Sequence, residues 1–141
     1  MISIIITLGL ISLIVAFCLA YSVLKQDKGT KEMQQVSDAI KEGANAFMKR
    51  QYLTIGILSI ILAVIIFITY SLIGKSSLGF ITSLSFLFGA LSSSIAGLIS
   101  MWISIRANIR TASSSRISLD KALKVSLRAG ATAGITIIAL S

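Results

Sequence analysis

The 141-residue chain sets 13 Lys and Arg against 5 Asp and Glu, a net charge of +8, yet 55% of it is hydrophobic and 13% charged. That balance excludes an ordinary water-soluble domain and points to a membrane protein. The basic residues fall between long uncharged runs, which argues against nucleic acid as the partner that explains the charge.

Residues 1–24 carry no charge. About 20 apolar helical residues cross a hydrocarbon core roughly 30 Å thick, so this run is read as transmembrane helix 1. No Lys or Arg precedes Lys25, and the apolar stretch outruns a signal-peptide core, so the helix is expected to be retained. Cys18 follows bulky Phe17, which disfavours a lipidation site, and reads as a small hydrophobe within the helix.

Residues 25–52 are read as a cytoplasmic amphipathic segment with Met33, Val36, Ile40, Ala44 and Phe47 on one helical stripe. Thr30 is the expected N-cap, Glu32 complements the helix dipole, and Gly43 is the expected close-packing point. Residues 53–74 form transmembrane helix 2, rich in Ile, Leu, Val and Phe, facing lipid broadly, with Tyr52 and Tyr70 as interface anchors. Residues 75–77 are the external turn.

Transmembrane helix 3, 78–105, differs in character. Every fourth position gives Ser85, Gly89, Ser93 and Gly97, beside a second row of Ser92, Ala96, Ser100, Ser104 and Asn108. Helices in lipid associate through small residues that let backbones approach, so this helix is expected inside a bundle. Its uncharged run, 76–105, is about 45 Å long and is expected to project into the cytoplasm. Residues 106–118 are read as a basic cytoplasmic loop in which Arg106, Asn108, Arg110 and Arg116 set topology and cap the carbonyls ending helix 3. Phosphate binding by these arginines and the nearby hydroxyls is the sharper alternative. Residues 119–141 are helix 4, amphipathic at its start, with Gly130 and Gly134 as a GxxxG pair. Beyond Arg128 the uncharged stretch covers about 20 Å, short of a full crossing, so the chain is expected to be the front part of a longer protein.

Chemistry is sparse. The acids are Asp27, Glu32, Asp38, Glu42 and Asp120, none inside a crossing, and there is no His and no second Cys. No catalytic, cofactor-binding or metal-binding residue is assigned, since ion-coupling sites keep ionisable groups within the membrane and phosphate loops need a Gly-rich cradle. The fold expectation is an all-α, polytopic integral membrane helix bundle.

Four motifs in order carry a resemblance: Gly29-Thr30 followed by Met33; "IKEGANAF" at 40–47; "FLFGALSSSIAGLISM" running into "RANIRTA" at 106–112; and "ALKVSLRAG" at 122–130. Together they resemble the membrane-bound, ion-pumping inorganic pyrophosphatases. The resemblance implies hydrolysis of cytoplasmic pyrophosphate with Mg2+, outward transport of H+ or Na+, a homodimer, and a potassium requirement left open. It places these four helices in the outer ring of a larger bundle, with substrate site and ion gate on later helices, so this segment serves as scaffold, binds no cofactor itself and is inactive alone. Its partners are then lipid and the remaining helices. The competing reading is a complete small four-helix membrane protein, a structural, channel or transporter subunit without enzyme activity.

Twelve of the 13 positive charges flank the same ends of the crossings, leaving Lys75 alone opposite, so the positive-inside rule puts the N-terminus outside. A cysteine at position 76 should react with an impermeant reagent from outside and one at position 114 should not; the reverse pattern overturns this topology.

Overall fold

The computed structural model describes residues 2–140. Four helices account for nearly all of them: α1 Ile2–Leu24, α2 Lys31–Leu72, α3 Ser76–Ser115 and α4 Leu119–Leu140, with no strand among the described residues. All four are long and apolar enough to cross a membrane. The protein is an all-α membrane helix bundle. α3 packs against each of the other three helices, α4 also packs against α1, and α2 touches α3 alone among the described helices.

Two of the helices are long, and the amphipathic segment runs into the second crossing as expected. α2 is one helix of 42 residues that fuses the amphipathic segment to the second crossing, and α3 runs 40 residues. At about 1.5 Å per residue each is roughly 60 Å long, twice a hydrocarbon core. Most of the stretch read as a basic loop is therefore helical: Arg106, Asn108 and Arg110 lie on α3, and the connection shrinks to Arg116–Ser118. The Gly/Ser-rich crossing simply continues, because nothing in "RANIRTASSS" breaks a helix.

The turns follow local chemistry. Thr30 Oγ1 accepts from Met33 N at 3.4 Å and opens α2. Gly74, at φ 76°, closes α2: its N–H donates to Ser71 O and that of Lys75 to Tyr70 O, both at 3.0 Å, the paired bonds of a left-handed glycine cap. Ser118 Oγ accepts from Lys121 N at 3.2 Å to start α4.

Small residues do bring backbones together, on α3 through Ala96 and Ser100 of the second expected row and Gly97 of the first. Ser85, Gly89, Ser93 and Gly130 are exposed and Gly134 is half-buried. A methyl group added at Gly89, Gly130, Gly134 or Gly43 meets nothing within 4 Å. Of the anticipated packing residues, Gly97 is the one seated under a neighbour, the Tyr52 hydroxyl, so Tyr52 packs on α3. The buried small residues are Gly79, Ser83, Ala96, Ala107, Ser113 and Ser114 on α3 and Ala122, Ala129, Thr132 and Thr136 on α4. Each residue advances the helix by about 100°, so a neighbouring row of small residues faces elsewhere. Three of the buried hydroxyls are satisfied within their own helix: Ser83, Thr132 and Thr136 donate to the carbonyl four residues back at 2.7–2.8 Å. Ser100 Oγ, at 3.4 Å from Ala133 O, adds a bond between α3 and α4.

The expectations about Met1 and Ser141 lie outside the described residues. Ser114 is 4% exposed, so exposed Ser118 is the sounder inner probe for the labelling test above.

A Cβ at Gly79 falls 2.8 Å from Tyr70 Cβ and 3.2 Å from Phe67 O. Gly79→Leu and Gly97→Leu should each destabilise by roughly 1–3 kcal/mol through overpacking. Gly89→Ala should be neutral or add up to about 1 kcal/mol. Thermal unfolding of detergent-solubilised protein decides; equal effects at all three positions would refute the assigned faces.

Candidate functional site

The polar groups gather where α1 ends, α2 begins, α3 ends and α4 begins. Val23, Ala107, Val125 and Ala129, from three helices, form a buried apolar cluster there. Arg110 comes off α3 beside this cluster and is 5% exposed. Its Nε and Nη2 donate to Leu24 O at 3.1 and 2.9 Å, and its Nη1 to Arg106 O at 2.6 Å. Leu24 is the last residue of α1, so its carbonyl has no partner within its own helix. A guanidinium is suited to this position because its rigid fork places two donors on one oxygen and adds positive charge at the negative end of the α1 dipole. Arg110 therefore caps a different helix from the one the sequence suggested.

One turn further along α3, Ser113 Oγ donates to Asp27 Oδ2 at 2.7 Å, and Gly29 N donates to the same oxygen at 2.9 Å. Gly29, at φ 76°, is pressed between Met33 and Ser113: a Cβ there would lie 2.7 Å from Met33 Sδ and 3.3 Å from Ser113 Cβ. Both clasps join residues 86 apart in sequence, which fixes α1 and α3 in parallel register. The Ser113 hydroxyl, and after it the Gly29 amide, hold the Asp27 carboxyl below its usual pKa.

The remaining sequence-selected residues are more open. Arg106 lies over the Trp102 ring, 4.0 Å from its centroid. Arg116 Nη1 approaches Met33 Sδ at 3.8 Å, and Asn108 lines a groove of about 440 Å³ between the start of α2 and the end of α3. Val36 and Ile40 of the amphipathic stripe face that groove while remaining exposed. Sequence reasoning missed Asp27, Ser113, Trp102 and the bond from Arg128 Nη1 to Ser22 Oγ at 2.9 Å. The Asp27-x-Gly29 turn signal was visible, but its partner on α3 was not. Among the described residues, no three His, Cys, Asp or Glu side chains come together as metal ligands. The site ties helix ends together and gathers positive charge at one end of the bundle.

The family model for inorganic H+ pyrophosphatase matches residues 10–141. The chain belongs to that family. Within it, a K+-insensitive pyrophosphate-energized proton pump of Methanosarcina mazei is 46% identical over 133 residues, covering 94% of this chain and 19% of the relative. A second such pump, from Moorella thermoacetica, is 43% identical over 133 residues, 94% of this chain and 18% of its own length. Pyrophosphate-energized membrane proton pump 3 of Arabidopsis thaliana is 37% identical over 143 residues, again 94% of this chain and 18% of the relative. This pyrophosphatase-family chain thus spans about a fifth of the length of the curated relatives it matches. No solved structure matches it.

Replacing Arg110 with Gln should cost roughly 1.5–3 kcal/mol, the worth of hydrogen bonds from a charged group, read by thermal unfolding. Because the Asp27 pKa is lowered on folding, its clasp stabilises above the ordinary carboxyl value of 3.8 and is lost as pH falls through the lower folded value. A carboxyl NMR titration should place Asp27 below 3.8, and Ser113→Ala should move it back up; a midpoint above 3.8 would refute the clasp.

Proposed function

We propose that this chain is a scaffold portion of a membrane pyrophosphatase that couples hydrolysis of cytoplasmic pyrophosphate to outward transport of H+ or Na+. The match of residues 10–141 to the family carries the reading. Relatives at 37–46% identity are named as proton pumps, and those of Methanosarcina and Moorella as K+-insensitive, which favours H+ over Na+ and favours independence of potassium here. The gathering of Arg106, Arg110, Arg116 and Arg128 near one end supports placing that end in the cytoplasm and the N-terminus outside.

Mg2+, the expected cofactor, polarises the phosphoanhydride when carboxylates hold it. The residues here do not fit such a metal: the acids are scattered, Asp38 pairs with Lys41 and Asp120 with Lys124, each at 2.6 Å, and Asp27 is engaged by Ser113. Hydrolysis and ion gating are assigned to helices outside this segment, in an inner ring that α1 to α4 brace from the outer ring of a homodimer. α3 is the strut, since it alone contacts all three of the other described helices.

The test is transport by inside-out membrane vesicles containing the protein encoded by the whole gene. Pyrophosphate should acidify the vesicle interior with or without K+, and Na+ should neither be taken up nor be required. Residues 1–141 expressed alone should release no phosphate from pyrophosphate. Vesicles in which pyrophosphate is hydrolysed without ion movement, or not hydrolysed at all, would overturn the reading and return the small non-enzymatic subunit to first place.

A further inference from the structure

α2 and α3 run antiparallel in a register set by Gly97 beneath Tyr52 and Gly79 beneath Tyr70, which puts Ile40 of α2 level with Ile109 of α3. The two helices flank the groove of about 440 Å³, whose apolar walls are Val36 and Ile40 on one side and Ile105 and Ile109 on the other. Val36 is 62% and Ile40 53% exposed. Lipid does not account for that exposure. The uncharged run of α2 starts at Gln51, and Lys49 and Arg50 mark where the helix leaves the hydrocarbon. Ile40 and Val36 precede Arg50 by ten and fourteen residues, about 15 and 21 Å further along the axis. A headgroup layer is about 5–8 Å deep on each side, so both stand beyond it. Nor can this stretch lie down on the membrane surface, because Lys31–Leu72 is a single helix continuous with the crossing. Its other faces carry Lys31, Asp38 and Glu42, all exposed, as a helix in water requires. An apolar trough standing in water marks a surface for another protein segment.

We propose that this groove receives an amphipathic helix from the part of the same protein outside residues 1–141. Shape selects a helix. Val36 and Ile40, like Ile105 and Ile109, are four residues apart, so the trough repeats at the spacing of an apolar stripe on a third helix laid along it. Glu32 and Asn108 also line the groove and offer polar contacts to the edges of that stripe. Length selects the source. The chain spans about a fifth of the length of its relatives, and a segment of the same polypeptide meets the groove at an effective concentration on the order of millimolar, an advantage a separate protein lacks. The inference rests on the reading proposed above, in which further helices of this protein surround α1 to α4.

The protein from the whole gene, in membranes, carries a photo-crosslinking amino acid at position 40. Irradiation should give an adduct that keeps the mobility of a single chain and whose crosslinked peptide maps outside residues 1–141. In a cysteine-free version purified in detergent, Ile40→Cys should react with a maleimide about ten-fold more slowly than Glu42→Cys on the opposite face of α2, and the two rates should converge on denaturation. No adduct, an adduct with lipid, with another protein or with a second copy at twice the mass, or equal reaction rates in the folded protein would each overturn the proposal. Pyrophosphate hydrolysis by the same membranes reports separately on the function proposed above: hydrolysis without the crosslink refutes the docking alone, and the crosslink without hydrolysis refutes the enzymatic reading alone.

Discussion

A helix that ends among other helices leaves carbonyls with no partner in its own ladder. The bundle meets that constraint at Leu24, where the Arg110 fork supplies two hydrogen bonds and a positive charge to the end of α1. Much else follows from it. The bond sets the level at which α1 lies along α3, and Ser113–Asp27 repeats the same 86-residue offset one turn beyond. With α1 so placed, Val23 meets Ala107, Val125 and Ala129 in the one buried apolar cluster among the described residues.

Away from that end the bundle is loose, as lipid permits. Hydrocarbon solvates Ile and Leu as well as a protein core does, so exposure of Ile60, Ile61 and Ile68 on α2 is no penalty. Association falls to close backbone approach instead, at Gly79 beneath Tyr70 and at Gly97 beneath Tyr52. Thr132 and Thr136 of α4 are buried, yet their hydroxyls are spent within the helix, so they pack as small side chains without demanding partners.

The arginines divide by what surrounds them. Arg110 is buried and uses all three nitrogens, which makes it part of the frame. Arg106 and Arg128 are more open, and each commits one nitrogen, to Trp102 O and Ser22 Oγ.

Membrane residence was fixed by composition and by uncharged runs, since a crossing needs only length and apolarity, and family membership was legible in the ordered motifs from Gly29 to Gly130. Tertiary structure decided which groups meet. Gly89 and Gly97 belong to one four-residue row, yet Gly97 lies under a neighbour while Gly89 stands open, because the helices cross that row rather than follow it. Nothing local tells Arg110 to leave its own helix for Leu24, or Ser113 to find Asp27. A sequence records which faces a helix has and what each could bind; only the register between helices determines which of those faces finds a partner.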